Sequence, residues 1–577
     1  MKPLKTLLLK TAIWALSLAA FIAFYVWLVR FLDVKQNSVP FYTLVGIALA
    51  AIFGFLAIFG FIVARYAEAK RRAKTHLFAP LKSFDKKTGE AEQAKPFSLT
   101  LQTHEGDLIV QNPFRSILCI GSAGSGKSVS IERQLMKSAV DAGFCGLLYD
   151  FKYPSLTNEL EGYLKAKKDR FPHYSVNFDD LTTSSRVNPL HPRYVQNSSY
   201  AREYATAIIN NLLPESIEKK DFWVRSCTDL LTALVFWLKE EAPQYCTLPH
   251  AVALAYQDER QLISVLSQNL QCMGMIKSLE TAMRNESNQQ LTGVLSTLQS
   301  ALSILNTPDV FYIFSGDEIP LELNDPARPL WLSIGNSPQL HDTYSPLLSL
   351  ICTVALKQMN QPGKAPSLVL LDEAPTLFIP KLSMIPATAR SNQVALAFFA
   401  QDLAQIVAQY GQKQCDVLMG NLNNQFFGRV SNPATAEHVS KLFGKHDQYF
   451  TTHSSTTGQS GNVGFGFSVG KNSGKTIGQS IQERDRIKPQ DVVNFEVGQF
   501  CGVLVEGQRN EFKSRFKAIE ASPAALPKRQ SPNPEGMFQL IHKEAANLIT
   551  ERAGGSYSRP NGDGSTQSQR EGREITT

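Results

Sequence analysis

Two long stretches near the start of the chain carry no charged residue, Thr11 to Val29 and Phe41 to Ala64. At about 1.5 Å of rise per helical residue, each is long enough for the ~30 Å hydrocarbon core of a bilayer, the second with some tilt. Arg30, Asp33 and Lys35 separate them. Lys2, Lys5 and Lys10 precede the first, and Arg65, Lys70, Arg71, Arg72 and Lys74 follow the second. A lysine-rich start before an apolar run is also the layout of a cleavable signal peptide, but a second span so close behind points to a helical hairpin. The positive-inside bias then puts both ends in the cytoplasm, with a short outer loop near residues 30–40. Everything from about residue 65 onward is expected to be cytosolic.

Beyond the basic collar the pattern changes to short apolar runs set between helical or loop stretches. Ser116 to Ile120, Gly146 to Tyr149, Tyr174 to Phe178, Leu330 to Ile334, Ser367 to Leu371, Val394 to Phe399, Gln425 to Val430 and Gly502 to Glu506 read as strands. Such runs suit a parallel sheet covered by helices on both faces. Residues 97–111 read instead as a β-hairpin turning at His104-Glu105-Gly106-Asp107. Between about 195 and 310 the strand pattern stops. Tyr200 to Leu213, Phe222 to Leu238, Arg260 to Ser267 and Ser287 to Leu305 show helical periodicity, which predicts an all-helical insertion. Residues 451–480 are rich in Gly, Ser and Thr and predict a mobile loop or a long hairpin. From about 521 Pro and Ser increase, a helix is possible over Met537 to Arg552, and the last residues read as disordered. The expected division is a membrane hairpin over 1–75, an α/β domain in two parts over 76–194 and 311–520, the helical insertion over 195–310, and a flexible tail over 521–577.

Composition changes this picture little. The net charge of +7 is modest and part of it is the basic collar, so it does not identify a nucleic-acid surface. Eight scattered cysteines, with no CxxC and no metal-ligand spacing, suit reduced thiols in a cytosolic compartment.

The chemistry is concentrated in Gly121-Ser122-Ala123-Gly124-Ser125-Gly126-Lys127-Ser128, which matches the phosphate-binding loop GxxxxGK[ST] at each required position. An apolar strand precedes it and a helix over Val129 to Val140 is predicted after it, the order such a loop needs. Its glycines let the backbone wrap phosphate oxygens so that several N–H donors face the anion. Lys127 would place a point charge on the β and γ phosphates of ATP, and Ser128 a hydroxyl ligand for Mg²⁺. Asp372 and Glu373 end the run from Ser367. Asp372 is placed to hold Mg²⁺, directly or through water, and Glu373 to orient and polarise an attacking water. Behind a complete phosphate loop, the acid pair reads as the second half of an ATP hydrolysis site. Gln401 closes a strand and can donate and accept hydrogen bonds at once, as a sensor of the γ-phosphate or the attacking water would. Arg390, between the acid pair and that strand, is the candidate to reach a neighbouring subunit's ATP, with Arg429 as runner-up and a plain surface arginine as the alternative. Gly474-Lys475-Thr476 hints at a second phosphate loop, but Val469 stands where its first glycine belongs, so that pattern fails.

Taken together, two N-terminal spans, the phosphate loop, the helical insertion and the late acid pair resemble the TraG/TraD-like coupling proteins of conjugative type IV secretion. Leu148-Tyr149-Asp150-Phe151-Lys152, Arg186-Val187-Asn188-Pro189-Leu190 and Asp221-Phe222-Trp223 are similar to that family's stretches. So are Asp372-Glu373-Ala374-Pro375-Thr376 and Phe399-Ala400-Gln401-Asp402-Leu403-Ala404-Gln405. The resemblance covers roughly residues 10–520 and is greatest to the versions carried by Bacteroidetes-type transfer elements, although the short outer loop departs from members with a larger periplasmic segment. It implies a RecA-like P-loop NTPase at the inner membrane, an ATP-driven DNA pump or receptor working as a ring of six. Its implied partners are single-stranded DNA with bound relaxase and the type IV secretion channel components. An FtsK-type DNA translocase and a membrane docking receptor that uses ATP for assembly are the competing readings. The first usually has more spans, a long linker and a C-terminal winged-helix module, none of which is legible here.

The membrane pattern generates a direct test. A topology reporter joined after Arg72 is expected to give a cytoplasmic signal and one near Asn37 an external signal; a cytoplasmic signal at Asn37 would break the hairpin.

Overall fold

A computed structural model gives the structure of the chain. It describes residues 95–554, apart from 169–170, 218–220, 286–287, 461–469, 508–509 and 530–531, together with Val26. Apart from Val26, the two uncharged runs expected to form the membrane hairpin lie outside the described residues, among which no helix is long and apolar enough to cross a membrane. From residue 95 the described residues belong to one compact unit, Glu90–Thr577.

The strands are β1 (Leu99–Thr103), β2 (Gly106–Val110), β3 (Ile117–Ile120), β4 (Cys145–Asp150), β5 (His173–Val176), β6 (Trp331–Gly335) and β7 (Ser367–Leu371). They continue with β8 (Val394–Ala400), β9 (Asn424–Phe427), β10 (Lys445–Ser460), β11 (Gly470–Asp485), β12 (Gln499–Val503) and β13 (Glu511–Arg515). A nine-stranded sheet runs in the order β13-β12-β9-β3-β8-β7-β4-β6-β5. From β9 to β5 neighbouring strands are parallel. Every residue of β4, β6, β7 and β8 is buried, which is why these strands read as unbroken apolar runs. Alternate residues feed opposite faces. Leu118, Ile120, Phe398 and Ala400 join one apolar cluster, and Ile117, Cys119, Ala397 and Phe399 the other.

The parallel expectation fails at one edge. The run read as Gly502 to Glu506 overlaps only the end of β12 (Gln499–Val503), which is antiparallel to β9 and to the further strand β13. In β13 buried positions alternate with more exposed ones, the pattern of an antiparallel edge covered on one face. β1 and β2 form the expected hairpin. The Gly/Ser/Thr-rich stretch is a two-stranded ribbon, with β10 and β11 antiparallel from the pair Lys445 and Asp485 to the pair Ser460 and Gly470.

The helix after the phosphate loop starts with a π turn, Ser128–Glu132, and continues as α1 (Arg133–Asp141). α2 (Ser155–Lys165) follows β4. Between β5 and β6 the described elements are helical: α3 (Ser198–Leu212), α4 (Phe222–Glu241), α5 (Leu248–Ala255), α6 (Glu259–Ser267), α7 (Leu270–Met275), α8 (Lys277–Arg284), α9 (Asn288–Leu302) and α10 (Pro308–Phe314). Side-chain caps start several of them. Asn197 accepts from the Ser199 and Tyr200 amides, and Asp221 from the Val224 amide at 2.8 Å. All eight residues of α5 are buried, so it shows none of the amphipathic pattern that reveals a helix in sequence. These helices share one apolar cluster with a face of the sheet and with α11 (His341–Met359), which packs against α3. The remaining helices are α12 (Ile385–Ala389), α13 (Leu403–Tyr410), α14 (Gln412–Asn421), α15 (Pro433–Phe443), α16 (Pro489–Val493) and α17 (Pro534–Gly554).

After β13 the chain runs back as a strap. Lys517 donates its amide to the Gln102 carbonyl (3.0 Å), Ile519 to Val129 (3.2 Å), Ala524 to Asn158 (2.8 Å) and Arg529 to Thr182 (2.7 Å). α17 then buries Ile541, Ala545, Leu548 and Ile549, and His250 lies 3.1 Å from Glu544. The stretch expected to be flexible after 521 is therefore packed as far as α17, because its Pro-rich part finds backbone partners and its helix an apolar seat. Gln134, 2% exposed on α1, joins three segments: its amide donates to the Gln102 carbonyl (3.1 Å) and the Lys517 carbonyl (2.7 Å), and its Oε1 accepts from the Gln102 amide. Replacing it with Leu would take a partner from the Gln102 amide and the Lys517 carbonyl, whereas the Gln102 carbonyl keeps the Lys517 amide. Urea denaturation of Gln134→Leu is expected to show a loss of about 1–3 kcal/mol, and unchanged stability would remove this account of the strap.

Candidate active site

In a parallel sheet the C-terminal ends of the strands share one edge, and β3, β8 and β7 are consecutive neighbours. The phosphate loop, Gln401 and the acid pair therefore emerge side by side. Gly121 donates to the Ala400 carbonyl (3.1 Å), Ser122 to Arg429 (2.8 Å), and Gly498 to Ser125 (2.9 Å), so strands β8, β9 and the turn before β12 all brace the loop. Gly124 and Gly126 have φ of +74° and +91°, a region that favours glycine. A Cβ on Gly126 would also lie 2.8 Å from the Gly498 nitrogen. Ser128 is exposed at the start of the π turn, while Lys127 beside it is buried.

Lys127 reaches across the end of β8. Its Nζ donates to the Ala400 carbonyl at 3.2 Å and pairs with Glu373 Oε1 at 3.2 Å, with the two side chains only 7% and 12% exposed. Gln401 Nε2 donates to the same Glu373 oxygen at 3.2 Å. Glu373 itself adopts a left-handed backbone (φ +46°), a conformation that costs a non-glycine residue about 1–3 kcal/mol and is concentrated at functional sites. Asp402 caps α13 through the Gln405 amide (3.0 Å), which ends β8 and fixes where Gln401 stands. The turn holding the acid pair rests on a buried network absent from the sequence reading. Thr376 Oγ1 donates to the Glu373 carbonyl (2.7 Å), Tyr149 Oη meets Thr376 Oγ1 (2.7 Å), and Asn336 donates to Tyr149 Oη (2.8 Å).

Burial disfavours the Lys127 ammonium, but Glu373, Glu132 and Asp372 outweigh it and hold its pKa above the usual lysine value. Burial and then the Glu373 charge push Asp372 up to about 6. Burial and then Asp372 push Glu132 well above the carboxylate range. Glu132 was not singled out from sequence, where it is one polar residue inside an expected helix. It is fully buried, with neither carboxylate oxygen in a hydrogen bond. Asp150, also buried, is turned away from the loop and accepts from the Thr157 amide and hydroxyl, both at 2.9 Å.

The donor set fits Mg²⁺ bound largely by phosphates and water. Ser128 offers a hydroxyl, Asp372 a carboxyl 6% exposed, and Glu132 two unpaired oxygens. Among the described residues no group of three or more His, Cys, Asp or Glu is placed to hold an ion.

The two candidate arginines part company. Arg390, exposed, lies before the first residue of β8, at the opposite edge of the sheet from the phosphate loop of its own chain. Arg429 follows β9, and its guanidinium lies 3.5 Å from where a Cβ on Gly124 would sit. The other quoted stretches are structural in this fold. Arg186 ties to α10 through the Tyr312 carbonyl (3.1 Å) and Ser315 (2.9 Å), and Asn188 donates to the Cys246 carbonyl (3.0 Å). Asp221 caps α4 and leaves Phe222 and Trp223 exposed.

Residues 366–496, which contain the acid pair, Gln401 and both arginines, match the family described as the TraM recognition site of TraD and TraG. No curated protein sequence matches the chain. Among solved structures the fold is similar to the bacterial conjugative coupling protein TrwBdeltaN70 in its unbound form, with a TM-score of 0.59 at 15% identity over 76% of this chain and 92% of that one. It is also similar to the plasmid coupling protein TrwB in complex with the ATP analogue ADPNP (TM-score 0.56, 16% identity, 77% and 93% covered). TrwB in complex with ADP and Mg²⁺ matches with a TM-score of 0.52 at 16% identity, over 77% of this chain and 92% of that one. The sequence match lies across the acid pair, and the fold around it is similar to that of the conjugative coupling proteins.

Proposed function

We propose that the chain is an ATP-hydrolysing coupling protein of a conjugative type IV secretion system. It is anchored in the inner membrane by the hairpin over residues 1–75 and works as a homo-hexamer that recruits relaxase-bound single-stranded DNA and passes it to the secretion channel. The observation that carries the reading is the meeting of Lys127 and Gln401 on one oxygen of Glu373, at the edge of the sheet where the phosphate loop opens. The family name supports a relaxosome-type partner, and the TrwB complexes support ATP and Mg²⁺ as ligands.

In this reading the loop amides of Gly121 to Ser128 bind the phosphates, and the γ-phosphate competes with Glu373 for the Lys127 ammonium. Glu373, released from Lys127 but still held by Gln401, orients and polarises the attacking water. Ser128 and Asp372 would hold Mg²⁺, whose charge would offset that on the phosphate oxygens. The helical stretch over 195–310 is an insertion into the α/β domain of 76–194 and 311–520, and the tail begins at 521.

Turnover by the full-length protein in detergent, measured with and without single-stranded DNA, tests this. Wild type is expected to hydrolyse ATP faster with DNA and to retain a relaxase in pull-downs. Lys127→Ala should lose ATP binding, whereas Glu373→Gln should bind ATP and not turn it over, since an amide does not polarise water as a carboxylate does. Equal rates for wild type and Glu373→Gln would remove the catalytic assignment, and a rate indifferent to DNA the pumping.

The arginines give a second test. Arg390 acts on a neighbour's ATP and Arg429 on its own, so each alanine variant should be slow yet still bind ATP, by roughly 10³-fold or more for a finger. Mixed with Lys127→Ala, Arg390→Ala should regain turnover, because an intact arginine from one subunit then meets an intact loop on the other. Arg429→Ala should regain none. Recovery with Arg429→Ala but not with Arg390→Ala would reverse the assignment.

A further inference from the structure

We infer that Glu132 is a positioning residue of the magnesium site, a second buried carboxylate that steadies the ion's water shell beside Asp372. The inference rests on the reading of Ser128 and Asp372 as the residues that hold Mg²⁺. Its starting point is a contrast among the glutamates. Of the buried ones among the described residues, Glu159 pairs with Arg133 at 2.6 Å, Glu161 with His173 at 3.0 Å and Glu280 with Lys277 at 2.6 Å. Glu132 is as buried as any of them and has neither oxygen in a hydrogen bond or an ion pair of its own. Buried polar groups are normally satisfied, so an orphaned carboxylate beside a phosphate loop marks a ligand-directed group.

The backbone explains how it arrives there. The first turn after Lys127 is a π turn closed by the Arg133 amide on the Ser128 carbonyl. The π turn ends on Glu132, whose buried carboxyl feels the charges of Asp372, just past β7, and of Lys127. In an ordinary α-helix the register of the following residues would shift, and π turns are frequent at functional sites for this reason. Charge points the same way. Lys127 is paired with Glu373, which leaves Glu132 and Asp372 adjacent with no basic side chain of their own in a hydrogen bond or ion pair. Mg²⁺ gives up its water reluctantly and is held through partners of that water as much as by direct ligands. Two buried carboxylates under an exposed serine hydroxyl suit that requirement. A merely structural acid would instead have been given a base, as its three counterparts were.

The test measures binding of a fluorescent ATP analogue to the full-length protein as Mg²⁺ is titrated, and again in EDTA. Glu132→Gln keeps the shape and removes the charge. It is expected to raise the Mg²⁺ concentration for half-maximal binding about tenfold or more, as loss of such a partner does elsewhere, with binding in EDTA and the melting temperature unchanged. Glu132→Asp should give a smaller shift in the same direction, and it decides the matter if the Gln variant fails to fold. Wild-type Mg²⁺ dependence in the folded variants, or a loss equally large in EDTA, overturns the inference. Ser128→Ala and Asp372→Asn separate the two levels. If they shift the Mg²⁺ dependence and Glu132→Gln does not, only this inference falls. If neither shifts it, the metal-site reading itself falls.

Discussion

Glu373 is held between two donors that come from different strands, and the chemistry of the chain depends on that contact. Parallel strands lie about 4.8 Å apart, so the loop after β3 and the acid pair after β7 are separated by the width of β8, roughly 10 Å from strand to strand. A lysine stem is long enough to cross that gap, and Lys127 touches the last carbonyl of β8 on the way. Gln401, at the end of β8, reaches the same carboxylate from its own strand. Three elements far apart in sequence thus share one oxygen. Any other strand order would leave a buried lysine or a buried glutamate without its partner, and breaking such a pair is costly because an uncompensated charge stays behind.

The supports around that contact are polar and buried, which makes them specific. Tyr149 on β4, braced by Asn336 just past β6, holds Thr376, and Thr376 holds the Glu373 carbonyl in a turn that a glutamate would not adopt unaided. The phosphate loop is braced in the same manner, by the backbones of Ala400, Arg429 and Gly498. From the first turn after the loop, the Val129 carbonyl accepts from Ile519 of the strap, which continues to α17 on the helical layer. The strap as far as Arg529 and the apolar seat of α17 thus tie the turn after the phosphate loop to the helical layer.

Several motifs that are conspicuous in the sequence carry structure rather than chemistry. The arginine and asparagine of Arg186 to Leu190 fasten α10 and the loop between α4 and α5 through backbone carbonyls. Asp221 is a helix cap. The reverse holds for Glu132, an unremarked position in an expected helix that the fold brings to the site without a partner. Sequence reading finds residues whose spacing is itself the signal, and Glu132 has no such spacing because its role depends on a π turn and on a strand that comes 240 residues later (Asp372 against Glu132).

The sequence by itself determined the phosphate loop, the acid pair, the strand that ends in Gln401 and the α/β order, because each of these is local. Glycines at set offsets, a lysine beside a hydroxyl and apolar runs that stop at polar residues are all dictated by the backbone within a few positions. It missed α5, whose total burial erases periodicity, and it misjudged β12, since an apolar run does not say which way its neighbour points. Only the tertiary structure decided which arginine stands where. Arg390 and Arg429 are both exposed or half-buried residues at strand ends, equivalent in sequence terms. One precedes its strand and the other follows it, so the parallel sheet sends them to opposite edges, and only Arg429 is beside its own phosphate loop. Strand direction and strand order are non-local choices made by the packing of the whole sheet, and no stretch of a few residues contains them.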